Sequence, residues 1–511
     1  MKKIVYTYIH YLQLLCIAAV IMFVSSCQDD KVEPPVITGV VNYEASPNDT
    51  VVTTIQAGQW VVLLGRNLSG VTQVYFGSIP ATINTSYFTD GSIVVQLPDI
   101  PFPLVPADKL NIVTAISEGG IATFDINIVG DPIISRIRNY EDSPNDTVVN
   151  VLYPGDEINI VGFNLKNVTE ISFQGVLADL TNIVYTDTSA IVQVPADLSG
   201  SSALLANTIT YTTTFGSVGF PIKIVGPPVI SFVSYEVPKA GDMVHLYGYN
   251  FTAIQSLTFA GTPITEYEVS VDESTLSFAA PALTQSGPVE IVTLAGSYTT
   301  VYNVNDIDTG ALSNFGSVFN WDWWAASLAV EDASFDDWGG WIPVYPEFVS
   351  NGGKFLVMKT SIMAGGAGAD WTTAVRIPDV QWVPAANITD PVDSWALKFE
   401  ISIPQAWNGT TLVIKTENGD YAARYEPWQV SDNKTVDYTT DGWQTLSIPL
   451  SAFRANSSTL GEGKGTAVAS LKDLLDDDGK SVLRIYPKNY GTEDSKTIFF
   501  GGFDNFRVVR R

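Results

Sequence analysis

Eleven of the twelve tryptophans of this 511-residue chain lie beyond residue 305, and several stand among glycines, prolines and acids. Glu331 to Trp341 reads EDASFDDWGGW, which sets Trp338 and Trp341 beside Asp337. Trp371 follows a Gly-rich run, and Trp428 closes the segment ARYEPW, in which Arg424 and Glu426 fall on one strand face. Loops on a rigid β scaffold are where binding groups collect. A flat indole can cover the apolar face of a pyranose ring, while carboxylates and guanidinium groups bond the hydroxyls at its edge. Stacking of this kind is worth about 0.5–1.5 kcal/mol per ring beyond the area buried. The spacing therefore predicts a platform of Trp338, Trp341 and Trp371, with Trp428 as a further member. Asp337, Arg424 and Glu426 are its edge-binding groups. Trp321, Trp323, Trp324 and Trp382 are the reserve positions.

Other chemistry is poorly supplied. The chain has two histidines, His10 and His245, too few for a Ser-His-Asp set beside a His-based metal site. His245 alternates with Val244 and Leu246, as an ordinary strand residue does. Acids are plentiful, but the ExDxE strand motif of jelly-roll glucanases is absent. A hydrolase would need two carboxylates held roughly 5–9.5 Å apart, and the acids of EDASFDDWGGW read as a loop. The acidic turn LDDDG has Leu474 where a calcium loop opens with an acid, so it reads as a solvated turn. No metal or cofactor is expected. With 27 basic against 54 acidic residues the net charge is −27, which argues against nucleic acid as a partner.

The elements that would position these groups are strands. NYEASPNDTVV at Asn42 returns as NYEDSPNDTVV at Asn139, a period near one small domain rather than a solenoid repeat. A second pattern occurs three times: GQWVVLLGRNL from Gly58, GDEINIVGFNL from Gly155 and GDMVHLYGYNF from Gly241. Each is an alternating strand running into Gly-x-Asn, a turn in which both residues tolerate positive φ. Short strands at this spacing predict a β-sandwich. The third copy lacks the SPNDTVV segment. Proline-bearing junctions at Asp131-Pro132 and Gly226-Pro227-Pro228 leave little room for flexing. In the last domain Trp395 alternates with Leu397, Phe399, Ile401 and Ile403, a core face. Trp443 opens the strand WQTLSIPL, and Trp407 lies in a Gly-containing turn that suits core or surface.

The N-terminus reads as a secretory signal, with Lys2 and Lys3 ahead of an apolar stretch too short to span a bilayer. Its end, Val24-Ser25-Ser26-Cys27, resembles a lipobox, in which Cys27 is acylated. The following Gln28-Asp29-Asp30 resembles the surface-export signal of Bacteroidota lipoproteins. The expected division is a signal peptide over 1–26, a lipidated tether over 27–33, and sandwiches over 34–130, 131–226 and 227–304. A final domain covers 305–511.

The repeat motifs resemble the IPT/TIG immunoglobulin-like family. WALKFEISIP, DGWQTLSIPL and FDNFRVV resemble the last domain of surface glycan-binding proteins of the B type, from starch-utilisation-like systems. Trp443 resembles a structural tryptophan of jelly-roll carbohydrate-binding modules. The resemblance implies an all-β chain: tandem immunoglobulin-like β-sandwiches as spacers, then a jelly-roll-like carbohydrate-binding β-sandwich. It further implies a non-catalytic, outer-membrane, cell-surface lipoprotein. Its polysaccharide partner would be a β-glucan such as xyloglucan or mixed-linkage glucan, passed to a TonB-dependent transporter. A surface adhesin or protein-binding rod is the alternative, and a glycoside hydrolase the weaker one.

Overall fold

The computed structural model describes residues 32–511 except 142–145, 199–206, 323–326, 331–343, 369–373, Gly419 and Asn433. Among them the structure is all-β, joined by short 3₁₀ turns. No helix there is long and apolar enough to cross a membrane.

Each repeat builds two facing sheets. In the first, Val36–Asn42, Trp60–Arg66, Ser92–Gln96 and Thr82–Phe88 form one sheet. Ile79–Pro80, Val71–Phe76, Ile112–Ser117 and Gly120–Asp125 form the other. The alternation places Val61, Leu63, Ile93, Val95, Phe76 and Val113 in the core between them. Each such side chain contributes about 1.5–3 kcal/mol on burial. The last strand, Asn127–Val129, runs parallel to Thr54–Gln56. The second sandwich repeats the plan, down to the parallel pair of Val151–Leu152 with Lys223–Ile224. The third keeps both four-stranded sheets, and its His245 Nδ1 lies 2.7 Å from the Ser277 hydroxyl across the strand pair.

The Gly-x-Asn turns divide their labour differently from the sequence expectation. Only the asparagines take positive φ: 55° at Asn67, 56° at Asn164 and 62° at Asn250. Their amides donate to the carbonyls of Pro34, Asp131 and Pro227 at 3.0–3.1 Å, tying down the chain where each sandwich begins. The glycines answer a different need. A Cβ on Gly65, Gly162 or Gly248 would stand 1.8–1.9 Å from the carbonyl oxygen of Val36, Ile133 or Val229. The first strand of each sandwich bulges at that level. Close approach of backbone, not φ, excludes a side chain there.

The chain divides into two compact units, one holding the first two sandwiches and the other running from Val225 to Arg511. In the second unit the C-terminal sandwich has a six-stranded sheet built around Phe500–Arg510. Trp395–Ser402 and Lys354–Lys359 flank that strand, with Trp443–Pro449 and Ser327–Val330 at the edges and Ala311–Ser313 also paired to it. Its five-stranded sheet runs Val375–Gln381, Lys480–Lys488, Thr411–Thr416, Tyr421–Tyr425, Arg454–Ala455. Between them Trp395, Leu397, Phe399, Ile401 and Ile403 meet Leu412, Ile414, Leu483 and Ile485.

The strand Trp395–Ser402 is buried on both faces. Its other face, with Lys398 and Glu400, is covered by the third sandwich. Glu236 bridges Lys398 at 2.6 Å and Arg507 at 2.8 Å, and Glu400 pairs Arg507 at 3.0 Å. Thr445 donates its backbone N–H to the Ser234 carbonyl and accepts that of Glu236 on its hydroxyl. Burial pushes the Lys398 ammonium below its ordinary range, against the pull of Glu236. Two anions and two cations are thus held where water cannot screen them. Removing one partner from such a set costs about 3–5 kcal/mol.

Candidate functional site

One broad face of the C-terminal sandwich, the outer face of its five-stranded sheet, carries a dense polar and aromatic array. Register sets its rows. Tyr486 pairs Val413, which pairs Arg424. One row along, Arg376, Arg484, Lys415 and Ala422 align. On the other side of the first row, Lys488 pairs Thr411, whose hydroxyl donates to Glu426 at 2.5 Å. Paired residues point to one side of a sheet, so these side chains share a surface.

Glu462 organises it. Its carboxylate accepts hydrogen bonds from the Tyr486 hydroxyl, from Lys488 Nζ at 3.0 Å and from the Tyr490 hydroxyl at 3.0 Å. Burial pushes this carboxyl up, but the bonds from Tyr486, Lys488 and Tyr490 outweigh it and hold the group below its usual range. Burial, with the Glu462 carboxylate beside it, drives the Tyr486 phenol well above its ordinary value. The array therefore presents a fixed anion and neutral phenols across the neutral pH range.

Arg424 and Glu426 do lie together, 3.7 Å apart, with Lys464 as near to Glu426 on the other side. Arg424 is already committed. It donates to the carbonyls of Glu462 at 2.6 Å and Leu460 at 2.9 Å, and its guanidinium sits 3.8 Å over the Tyr490 ring. It fixes the 456–465 loop against the sheet, so its first role is to position Glu462 and Tyr490. Trp428 is half-buried against the core, and its indole N–H bonds the Thr410 carbonyl at 2.8 Å. The fully buried Trp407 bonds the same carbonyl at 2.7 Å.

Trp338, Trp341, Trp371 and Asp337 lie outside the described residues, as do Trp323, Trp324 and Cys27. The described residues flanking 369–373 reach this surface: Gly368 bridges Lys488, and Ala374 clusters with Val413 and Tyr486. Of the reserve positions, Trp382 belongs to the core. It is 1% exposed and bonded to the Ser481 carbonyl at 3.0 Å, too enclosed to stack on a ligand. Trp321 packs half-buried on the same core, and among the described residues its N–H has no partner. Trp395 is buried, as its alternation predicts, and Trp443 joins Phe348, Phe355 and Phe500 under the third sandwich. The tyrosines of the array were passed over because the sequence argument ranked tryptophan alone. The alternation in VLRIYPKNY was the available signal.

The opposite broad face of this sandwich is covered by the third one, so among the described residues the open sheet face is the one bearing Glu462. In the acidic turn, Asp476 accepts the backbone N–H of Asp478 and Lys480, which is turn chemistry.

Comparison with known proteins adds to this geometry. Residues 306–510 match the family model for the surface glycan-binding protein B xyloglucan binding domain. A curated IPT/TIG domain-containing protein of Bacteroides ovatus is 23% identical over 513 residues, spanning 96% of this chain and 95% of its own. A crystal structure solved with a xylogluco-oligosaccharide shares the fold. It has a TM-score of 0.55 at 22% identity, over 93% of this chain and 99% of that one. The surface glycan-binding protein B of Prevotella bryantii aligns at a TM-score of 0.44 and 18% identity, over 75% and 99% of the two chains.

Proposed function

Since this chain is of the surface glycan-binding protein B type, its residues 306–510 matching that family's xyloglucan binding domain model, we propose that it captures a plant cell-wall β-glucan at the cell surface without cleaving it. Xyloglucan and mixed-linkage glucan are the first ligands to try. The observation that carries this reading is the open face around Glu462, Tyr486, Tyr490 and Lys488, in the domain that holds eleven tryptophans. Trp338, Trp341 and Trp371 are proposed as the stacking rings, with Asp337 and Glu426 at sugar edges and Arg424 behind them. Trp428 is the lesser member, because one side of its ring is spent on the core. Acylation at Cys27 would hold the chain to the outer membrane, and a TonB-dependent transporter would take the glycan onward. A domain division near 130, 226 and 304 fits this arrangement.

Affinity electrophoresis of the full chain in gels containing xyloglucan, mixed-linkage glucan or xylan tests the reading, with a reducing-end assay alongside. Retardation by a β-glucan with no new reducing ends is expected. Free migration through every glucan gel would overturn it, and released reducing ends would make it an enzyme.

A further inference from the structure

The first sandwich carries three aromatic rings on the outside of one sheet. Trp60 opens the strand Trp60–Arg66, whose Val61 and Leu63 point into the core, so alternation sends Trp60 outward. It pairs Gln96, which pairs Thr82 on the edge strand. Asn42 pairs Val61, which brings Tyr43 level with Trp60. Their ring centroids are 6.3 Å apart.

Tyr87 completes the set from an unexpected direction. It lies on Thr82–Phe88, at the far edge of the sheet from Val36–Asn42, three strand spacings or about 14 Å away. Yet its ring is 6.2 Å from that of Tyr43. The register slips between Asn84 and Phe88, and this bulge lets Tyr87 lean over the sheet. Tyr43 is 44% exposed and Tyr87 57%. Among the described residues, neither phenol hydroxyl nor the Trp60 indole N–H has a hydrogen-bond partner.

The chain supplies its own control for whether the sandwich needs this triad. The position of Trp60 is held by Glu157 in the second sandwich and Met243 in the third, each after the same Gly-x pair and in the same register. The second sandwich keeps Tyr140, but among the described residues no aromatic ring meets it. Two copies thus fold without the rings.

We propose that Tyr43, Trp60 and Tyr87 form a second carbohydrate site, one that takes the pyranose faces of a neutral polysaccharide. The rings offer flat apolar surface with free polar tips. The rim is uncharged amide and hydroxyl: Gln96, Thr82 and Asn84. Among the described residues no basic side chain belongs to the patch, which suits neither a phosphate backbone nor an anionic lipid surface. Exposed rings with unpaired donors, edged by neutral hydrogen-bonding groups, match a sugar's apolar face and hydroxyl rim. The site stands independently of the one around Glu462.

The test is calorimetric titration of the full chain with xyloglucan and mixed-linkage oligosaccharides and galactomannan fragments, then affinity electrophoresis in the parent polymers. The variant is Trp60→Glu with Tyr87→Ser; the first change installs the residue that the second sandwich already carries. The wild type is expected to bind one more oligosaccharide per chain than the variant. Apparent affinity for the polymer should fall by about tenfold or more, because linked sites reinforce one another. If Trp60→Glu lowers the melting temperature, Tyr87→Ser alone, on the exposed bulge, carries the comparison. A wild type that binds one sugar and a variant that binds none support the triad while removing the C-terminal site. Equal stoichiometry and equal retardation in wild type and variant overturn the proposal, and a protein ligand lost with the rings overturns it too.

Discussion

Arg424 has more protein partners than a ligand-reading arginine requires. Arg424→Ala removes two bonds to loop carbonyls and the stack on Tyr490. It should therefore cost about 1–3 kcal/mol in urea unfolding as well as weakening glycan binding. A group that touched only ligand would leave the unfolding curve in place. Trp428→Ala should likewise lower stability, since its ring rests on the core, while Trp407→Ala should cost about 3–5 kcal/mol. Asp504 makes a prediction in pH. Burial, and then the nearby Glu400 charge, raise its carboxyl well above the ordinary value despite the bond from Asn351. A raised carboxyl favours folding below its unfolded pKa and loses that contribution as pH rises through the folded one. Asp504→Asn should therefore be more stable than wild type at pH 8. The difference should shrink towards pH 4 when melting curves are recorded across that range.

At the scale of elements, the repeated strands were legible because their information is local. Alternation, Gly-x-Asn and a closing proline recur within a few residues, and they marked each sandwich. The same holds for Trp395, whose neighbours announce a core face. What the sequence could not show is which strands are buried twice. Lys398 and Glu400 alternate with that core face as solvent-facing residues do, and their burial rests on distant partners: Glu236, 162 residues from Lys398, and Arg507, 107 residues from Glu400. The Glu462 array was hidden for the same reason, since its tyrosines and lysine lie 24–28 residues beyond it. The glycine of Gly-x-Asn was legible as a requirement but not in its cause. Gly162→Ala should unfold or strongly destabilise the second sandwich, because its methyl would meet the Ile133 carbonyl. Asn164→Ala, which loses one amide bond and a tolerated left-handed residue, should cost less, about 1–2 kcal/mol.

In the whole molecule, the third sandwich covers one face of the C-terminal domain, and its contacts there should add to that domain's stability. A fragment starting at 305 would leave Lys398, Arg507 and Glu400 without Glu236, whereas one starting at Val225 keeps the set together. The longer fragment should melt cooperatively and the shorter should aggregate or melt early, as scanning calorimetry would show. The parallel pairs that close the first two sandwiches bear on something else, the behaviour of the chain under tension. A strand entering near the N-terminal end, Thr54–Gln56, lies parallel to the last one, Asn127–Val129. Drawn from its two ends, the domain must slide these strands lengthwise, loading their hydrogen bonds together instead of one after another. The second sandwich has the same clasp, while the described residues of the third close on a single antiparallel bridge between Gly287 and Val304. A tethered chain gripping a polymer in moving fluid would then carry the pull through its first two domains as clamped links, and the third would rely on its ionic seat against the last.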